Sequence, residues 1–245
     1  MLLLLLAAPQ AAAFSPAVHR ELAQRGAALE GCPAEEAERF ARGAAGEDWN
    51  LPRKWGRWHH YHSPSFAPVR SLWRGPSAGR VVRLQDRIQE AVAHGDGDHA
   101  WLLAGNLAHH VQDMASPPHV VPVAHGLGDG FERFVTSALV SGVEGADVPT
   151  LDPIATHQRL AVETTAALAI PLVCDAETMA WSAFWEPRPG RFGVYGSAGN
   201  AFGAVPGCEA GMLAFAQARL DAALAYTRGV ARYVVGLEAT ALRAQ

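Results

Sequence analysis

Apolar residues recur at steps of three and four along most of this chain, and strand-like alternation is almost absent, so the pattern predicts an all-α protein. Ser15 is placed to cap a helix whose first position is Pro16, with Val18, Leu22 and Gly26 following at helical spacing. A second helix is expected over residues 34–45. From Gly79 a third run carries Val82, Ile88 and Val92 on one stripe and ends at Gly95. Asp98 then opens a helix in which Leu103, Leu107 and Val111 fall at steps of four, and Ser116-Pro117-Pro118 stops it. Further helix is expected from about 131 to 141, from 153 to 173 and from 209 to 243. Between Trp181 and Cys208 glycine and proline are too frequent for helix, and this stretch reads as a long ordered loop or lid.

With 245 residues, 49% of them hydrophobic, and no internal repeat, the chain is long enough for one globular domain with a full core. Residues 1–13 stand apart from it. Leu2 to Leu6 form an apolar run too short to span a bilayer, and Ala11-Ala12-Ala13 fits the small-residue pattern before a signal-peptidase cut, which would leave Phe14 as the new terminus of a domain over 14–245. A secreted or periplasmic protein is the expectation. In an oxidising compartment Cys174 and Cys208 are placed to bridge the loop between them, leaving Cys32 odd. The net charge of −4 gives no reason to expect a polyanionic partner. An arginine-rich stretch that includes Arg53, Arg70, Arg80 and Arg87 reads as a solvated surface.

The chemistry lies in the order of histidines and acids. Ten of the eleven histidines precede residue 126, interleaved with carboxylates. His109 and Asp113 are four apart, so both leave one face of a helix and can grip one ion. His119 follows the Pro-Pro break, where an extended conformation would turn its side chain back toward the helix end. Asp129-Gly130-Phe131-Glu132 fits a capping box, with Asp129 as cap and Glu132 at the third position. One Glu132 oxygen can serve that box while the other binds metal. His125, in the Gly-rich approach, is a further candidate ligand, and Asp129 an alternative to it. His94 to His99 reads as a solvated turn plus helix cap. His60, His62, His110 and His157 read as supporting or surface groups.

The string LAHHVQDMASPPHVVPV, followed by FERFV, resembles the metal-binding centre of the bacterial zinc-dependent phospholipase C family, whose fold extends to single-strand-specific nucleases. The resemblance implies an all-helical domain holding two to three Zn²⁺ ions. It implies Phe14, through a freed amine and its carbonyl, together with His19, Asp48, His59, His109, Asp113, His119 and Glu132 as ligands, with Asp113 bridging two ions and Asp48 also catalytic; the family's histidine four before the final glutamate is Gly128 here, and His125 stands in for it. His60 is the alternative to His59. The activity implied is hydrolysis of a phosphodiester by metal-activated water attacking phosphorus in line. A phospholipid head group, met by a monomer in transient contact with a membrane surface, is the expected substrate, with nucleic acid second. The family's choline-pocket acid and tyrosine are replaced by Ser15-Pro16-Ala17 and Trp49, so a choline preference does not carry over. Trp49, Trp55, Trp58 and Trp73 can form an aromatic wall for a head group, a base or a membrane.

Overall fold

A computed structural model describes residues 14–47, 77–123, 129–175, 177–189 and 191–244. The leader over 1–13, Asp48, His59, His60, His62, His125 and the tryptophans at 49, 55, 58 and 73 lie outside the described residues.

The described chain is mostly helical. Helix α1 (Pro16–Leu29) starts where the sequence reading placed it, with Ser15 extended and its hydroxyl accepting from Val18 N–H. Helices α2 (Ala34–Gly46) and α3 (Ala78–Ala93) follow. The buried face of α3 is Val81, Leu84, Ile88 and Ala91, while Val82 is exposed, so the stripe is rotated by one residue from the predicted one. Gly95 adopts a left-handed φ of 72°, which ends the helix, and the Asp96 carboxylate, rather than Asp98, caps α4 (Gly97–Asp113).

Helices α2 and α4 cross with almost no space between their backbones. A Cβ at Gly43 would lie 2.2 Å from the Leu102 carbonyl oxygen, and one at Gly105 would lie 2.0 Å from that of Phe40. Only glycine permits this approach, and one turn beyond the crossing stands His109. On the other side of α1, Gly26 makes room for Thr227 of the long C-terminal helix α9 (Glu209–Arg243), whose methyl would lie 2.9 Å from a Cβ there. Helix α9 lies against α1, α4 and α8 (Pro153–Ala167), and Leu22, Leu84, Leu107, Leu160 and Leu220 fill the space between these helices.

Three expectations are corrected. The prolines do not extend the chain after α4. Ser116 alone is extended, and Pro117 and Pro118 open a one-turn helix α5 (Pro117–Val120), because their fixed φ suits a first turn. The expected helix over 131–141 breaks at Val135 and Thr136, which are extended, into α6 (Gly130–Phe134) and α7 (Ser137–Ser141). Helix α8 stops at Ala167, ahead of Pro171, and the chain instead forms a small antiparallel pair, β1 (Leu172–Val173) with β2 (Thr178–Met179).

The stretch from 181 to 208 has more regularity than a loop. A 3₁₀ turn (Trp181–Ala183) leads into β3 (Trp185–Glu186), paired antiparallel with β4 (Val194–Tyr195). Trp181, Phe184, Trp185 and Phe202 cluster with Phe131 of α6 and Phe215 of α9. Cys174 and Cys208 form the expected disulfide and close this lobe at its base, and Cys32 is the free cysteine. Among the described residues no helix is long and apolar enough to cross a membrane.

Candidate metal centre

His19 comes from α1, and His109 and Asp113 from α4, and all three are fully buried. One ligand atom from each lies within 4.8 Å of the others, so the group can hold a metal ion. His19 Nε2 is 3.5 Å from Asp113 Oδ1, and His109 Nε2 is 3.5 Å from Asp113 Oδ2. The two imidazoles stack with centroids 4.0 Å apart.

Neighbouring groups fix where the ring protons sit. His109 Nδ1 lies 2.9 Å from the Ala44 carbonyl oxygen, which can only accept, so Nδ1 carries a proton and, in the neutral ring, Nε2 holds the lone pair. For His19 the argument is longer. Thr227 spends its hydroxyl proton on the Ala223 carbonyl at 2.7 Å and therefore accepts from the Gln112 amide nitrogen at 3.1 Å. That orients the amide so that Gln112 Oε1 faces His19 Nδ1 at 2.6 Å, which must donate. Both Nε2 lone pairs therefore point at a carboxylate.

Lone pair facing carboxylate is a repulsive arrangement unless a positive charge stands between them. Protons on both Nε2 atoms would place two imidazolium rings in a 4.0 Å stack. Separations of 3.5 Å are also long for charge-assisted hydrogen bonds, which run about 2.7–2.9 Å. They suit instead the edge of a metal tetrahedron, which for zinc–nitrogen bonds of 2.0–2.1 Å is about 3.3 Å. The donor set fits a divalent cation.

A second pair stands on α5 and α6. His119 Nε2 is 3.2 Å from Glu132 Oε1. The capping box predicted for this segment is present, with Asp129 N–H donating to Glu132 Oε2 at 3.0 Å and Phe131 N–H to Asp129 Oδ1 at 2.7 Å. So Glu132 divides its oxygens between helix start and His119, as its dual role requires. Asp129, the alternative ligand, spends Oδ1 on the cap and Oδ2 on the Trp185 indole N–H at 2.8 Å. Opposite Trp185 stands Tyr195, whose phenol is pushed above its ordinary value by burial and then by the Asp129 charge. Phe14 links the two groups of candidate ligands. It is buried, with its ring against His19 at 5.6 Å and against Phe131 at 6.0 Å.

Several participants escaped sequence reasoning. Gln112, although it lies within the string LAHHVQDMASPPHVVPV, and Thr227 orient His19, but neither is a residue type that a metal-ligand pattern selects. Arg80, expected on a solvated surface, is buried and forks onto Glu47, with Nε to Oε1 at 2.9 Å. His110, next to the candidate ligand His109, reaches the same Glu47 oxygen at 3.2 Å. Burial would raise the Glu47 carboxyl, but the His110 hydrogen bond and the charges of His110, Arg80 and His109 outweigh it and hold it down at about 2. His157 is likewise buried, 2.6 Å from Ser77 Oγ at the start of α3. The turn from His94 to His99 is the solvated turn and cap that the spacing suggested.

Compared with models of known protein families the chain matches none, and it matches no curated protein.

Proposed function

We propose that this protein is a zinc-dependent phosphodiesterase of the phospholipase C type, exported from the cytoplasm and active as a monomer. The observation that carries the reading is the buried group His19, His109 and Asp113, which brings one ligand atom from each within 4.8 Å of the others, an arrangement that a cation makes favourable. All-N/O donors at near-tetrahedral edge lengths favour zinc among the common divalent metals. His19, His109 and Asp113 would hold metal together, with Asp113 the residue that could serve more than one ion, and His119 with Glu132 would offer a further position, in keeping with a count of two to three. Phe14, buried beside His19, would add its amine once freed.

Zinc when bound supplies Lewis acidity, lowering the pKa of a water and drawing charge from phosphoryl oxygens. The protein's own residues supply orientation. Gln112 and the Ala44 carbonyl lock both imidazoles with Nε2 forward, and the capping box aims Glu132 at His119. Burial keeps bulk water from screening these charges.

For the substrate, an apolar cavity of about 200 Å³ lined by Val121, Leu168, Pro171, Trp181 and Trp185 lies two residues past His119. With a net charge of −4, this favours a phosphodiester carrying an apolar group over a polynucleotide. The Cys174–Cys208 disulfide supports an oxidising compartment. The test is side-by-side hydrolysis of phospholipid vesicles, single-stranded DNA and an aryl phosphodiester by zinc-loaded protein, with and without chelator. Chelator-sensitive cleavage of vesicles is expected. Cleavage of DNA alone would make the protein a nuclease of the same type, and zinc binding without any turnover would leave a binding protein.

A further inference from the structure

We propose that Trp185 is a positioning residue for a metal ion shared by His119 and Glu132, acting through Asp129; the proposal rests on the reading of that pair as metal ligands. Helix α6, which carries Glu132, is five residues long. A helix this short has no stability of its own, since nucleation costs more than one turn returns. Something outside it must therefore fix the Glu132 carboxylate.

The lobe over 181–203 does this at three points. The Trp185 indole N–H reaches Asp129 Oδ2 at 2.8 Å. The Phe131 ring stands edge-on to Trp185 and Phe202. Gly130 lies so near Asn200 that a Cβ there would be 2.6 Å from the Asn200 carbonyl oxygen. Arg133 of α6 adds a fourth contact, donating to the Asn200 carbonyl at 3.2 Å, but of the two polar contacts only the indole bond ends on the Asp129 carboxylate. Asp129 is held from both sides, by the indole on one oxygen and Phe131 N–H on the other, and its own N–H then sets Glu132 Oε2 at 3.0 Å. This leaves Glu132 Oε1 aimed at His119. Asp129, Glu132, His119 and Trp185 are all buried, so solvent offers no substitute for a missing donor.

The chain of contacts runs from indole to carboxylate to backbone to ligand, and it passes by His19, His109 and Asp113. Removing the indole N–H should therefore loosen one ion selectively. The experiment counts zinc bound per full-length chain across buffered free-zinc concentrations, for wild type, Trp185→Phe, Asp129→Asn, His119→Ala and His19→Ala. Trp185→Phe keeps an aromatic ring in the cluster while removing the N–H and part of the indole's volume. Asp129→Asn keeps an oxygen for the cap but turns an N–H toward the indole. Both are expected to weaken the ion that His119→Ala removes, by about 10–100-fold, while the ion that His19→Ala removes keeps its affinity.

Equal weakening of every ion in Trp185→Phe, tracking a fall in melting temperature, would reduce Trp185 to packing and overturn the proposal. So would wild-type affinity in both Trp185→Phe and Asp129→Asn, or a zinc count that does not depend on His119. In the last case zinc lost with His19→Ala would leave the phosphodiesterase reading intact, whereas a wild-type chain that takes up no zinc would sink both.

Discussion

The two groups of candidate ligands use the same side-chain chemistry on different supports. His19, His109 and Asp113 stand on helices of 14 and 17 residues whose backbones are pressed against their neighbours at glycines. His119 and Glu132 stand on helical pieces of four and five residues, held in place by a lobe that a disulfide closes. In the first group the scaffold would keep its shape without a metal, because long helices and a packed core hold it. In the second the ligand geometry is borrowed from contacts outside the element. The difference teaches that a site's rigidity depends on who supports its ligands, and that one centre can contain a fixed part and a conditional part.

The sharpest way to break the first group is Asp113→Asn, which removes the negative charge that both imidazoles face. Zinc-dependent hydrolysis should fall by about 10³-fold or more, as expected when several kcal/mol of metal-derived stabilisation are lost. Retained zinc and turnover in that variant would contradict the assignment. The second group should respond to its tether. Replacing Cys174 and Cys208 by serine frees a 34-residue separation, and the loop-closure argument gives a loss of about 3–4 kcal/mol, read as a lower denaturant midpoint. The ion dependent on His119 should weaken more than the one dependent on His19.

Acid tests the support around His109. Glu47 is held at about 2 against an ordinary 4.5, so its contribution to stability is complete above about pH 4.5 and is lost as pH falls toward 2. At 1.36 kcal/mol per unit this is about 3 kcal/mol. Urea midpoints measured between pH 6 and pH 2 should fall for wild type, with a shallower slope for Glu47→Gln. Identical slopes would remove Glu47 from the account. The smallest effect is expected from Gln112→Met, which deletes the acceptor that orients His19. Zinc affinity at the His19 site should drop by about 10–100-fold with little change at the His119 site.

Much of the helical frame was legible in the sequence. Steps of four in Leu103, Leu107 and Val111 placed α4, and the same periodicity put His109 and Asp113 on one face. The capping box at Asp129 and the Cys174–Cys208 bridge were also readable, since each depends on local spacing or on a small number of cysteines. The errors came where a local rule had two outcomes. Two prolines can extend a chain or start a helix, and in α5 they start one. A run that favours helix can be cut by extended residues, as at Val135 and Thr136, or stopped ahead of a proline, as before Pro171. Arg80 looked like one of many surface arginines because its partner Glu47 is 33 positions away.

By itself, then, the sequence determined the helical class, the pairing of His109 with Asp113 and the capping box of Glu132, because each follows from rise and turn within a few residues. Tertiary structure alone decided that His19 comes within reach of that pair, that Gln112 orients the His19 ring and Ala44 the His109 ring, and that Trp185 reaches Asp129. These contacts join residues 93, 65 and 56 positions apart, and their geometry depends on how closely helices cross rather than on any local pattern.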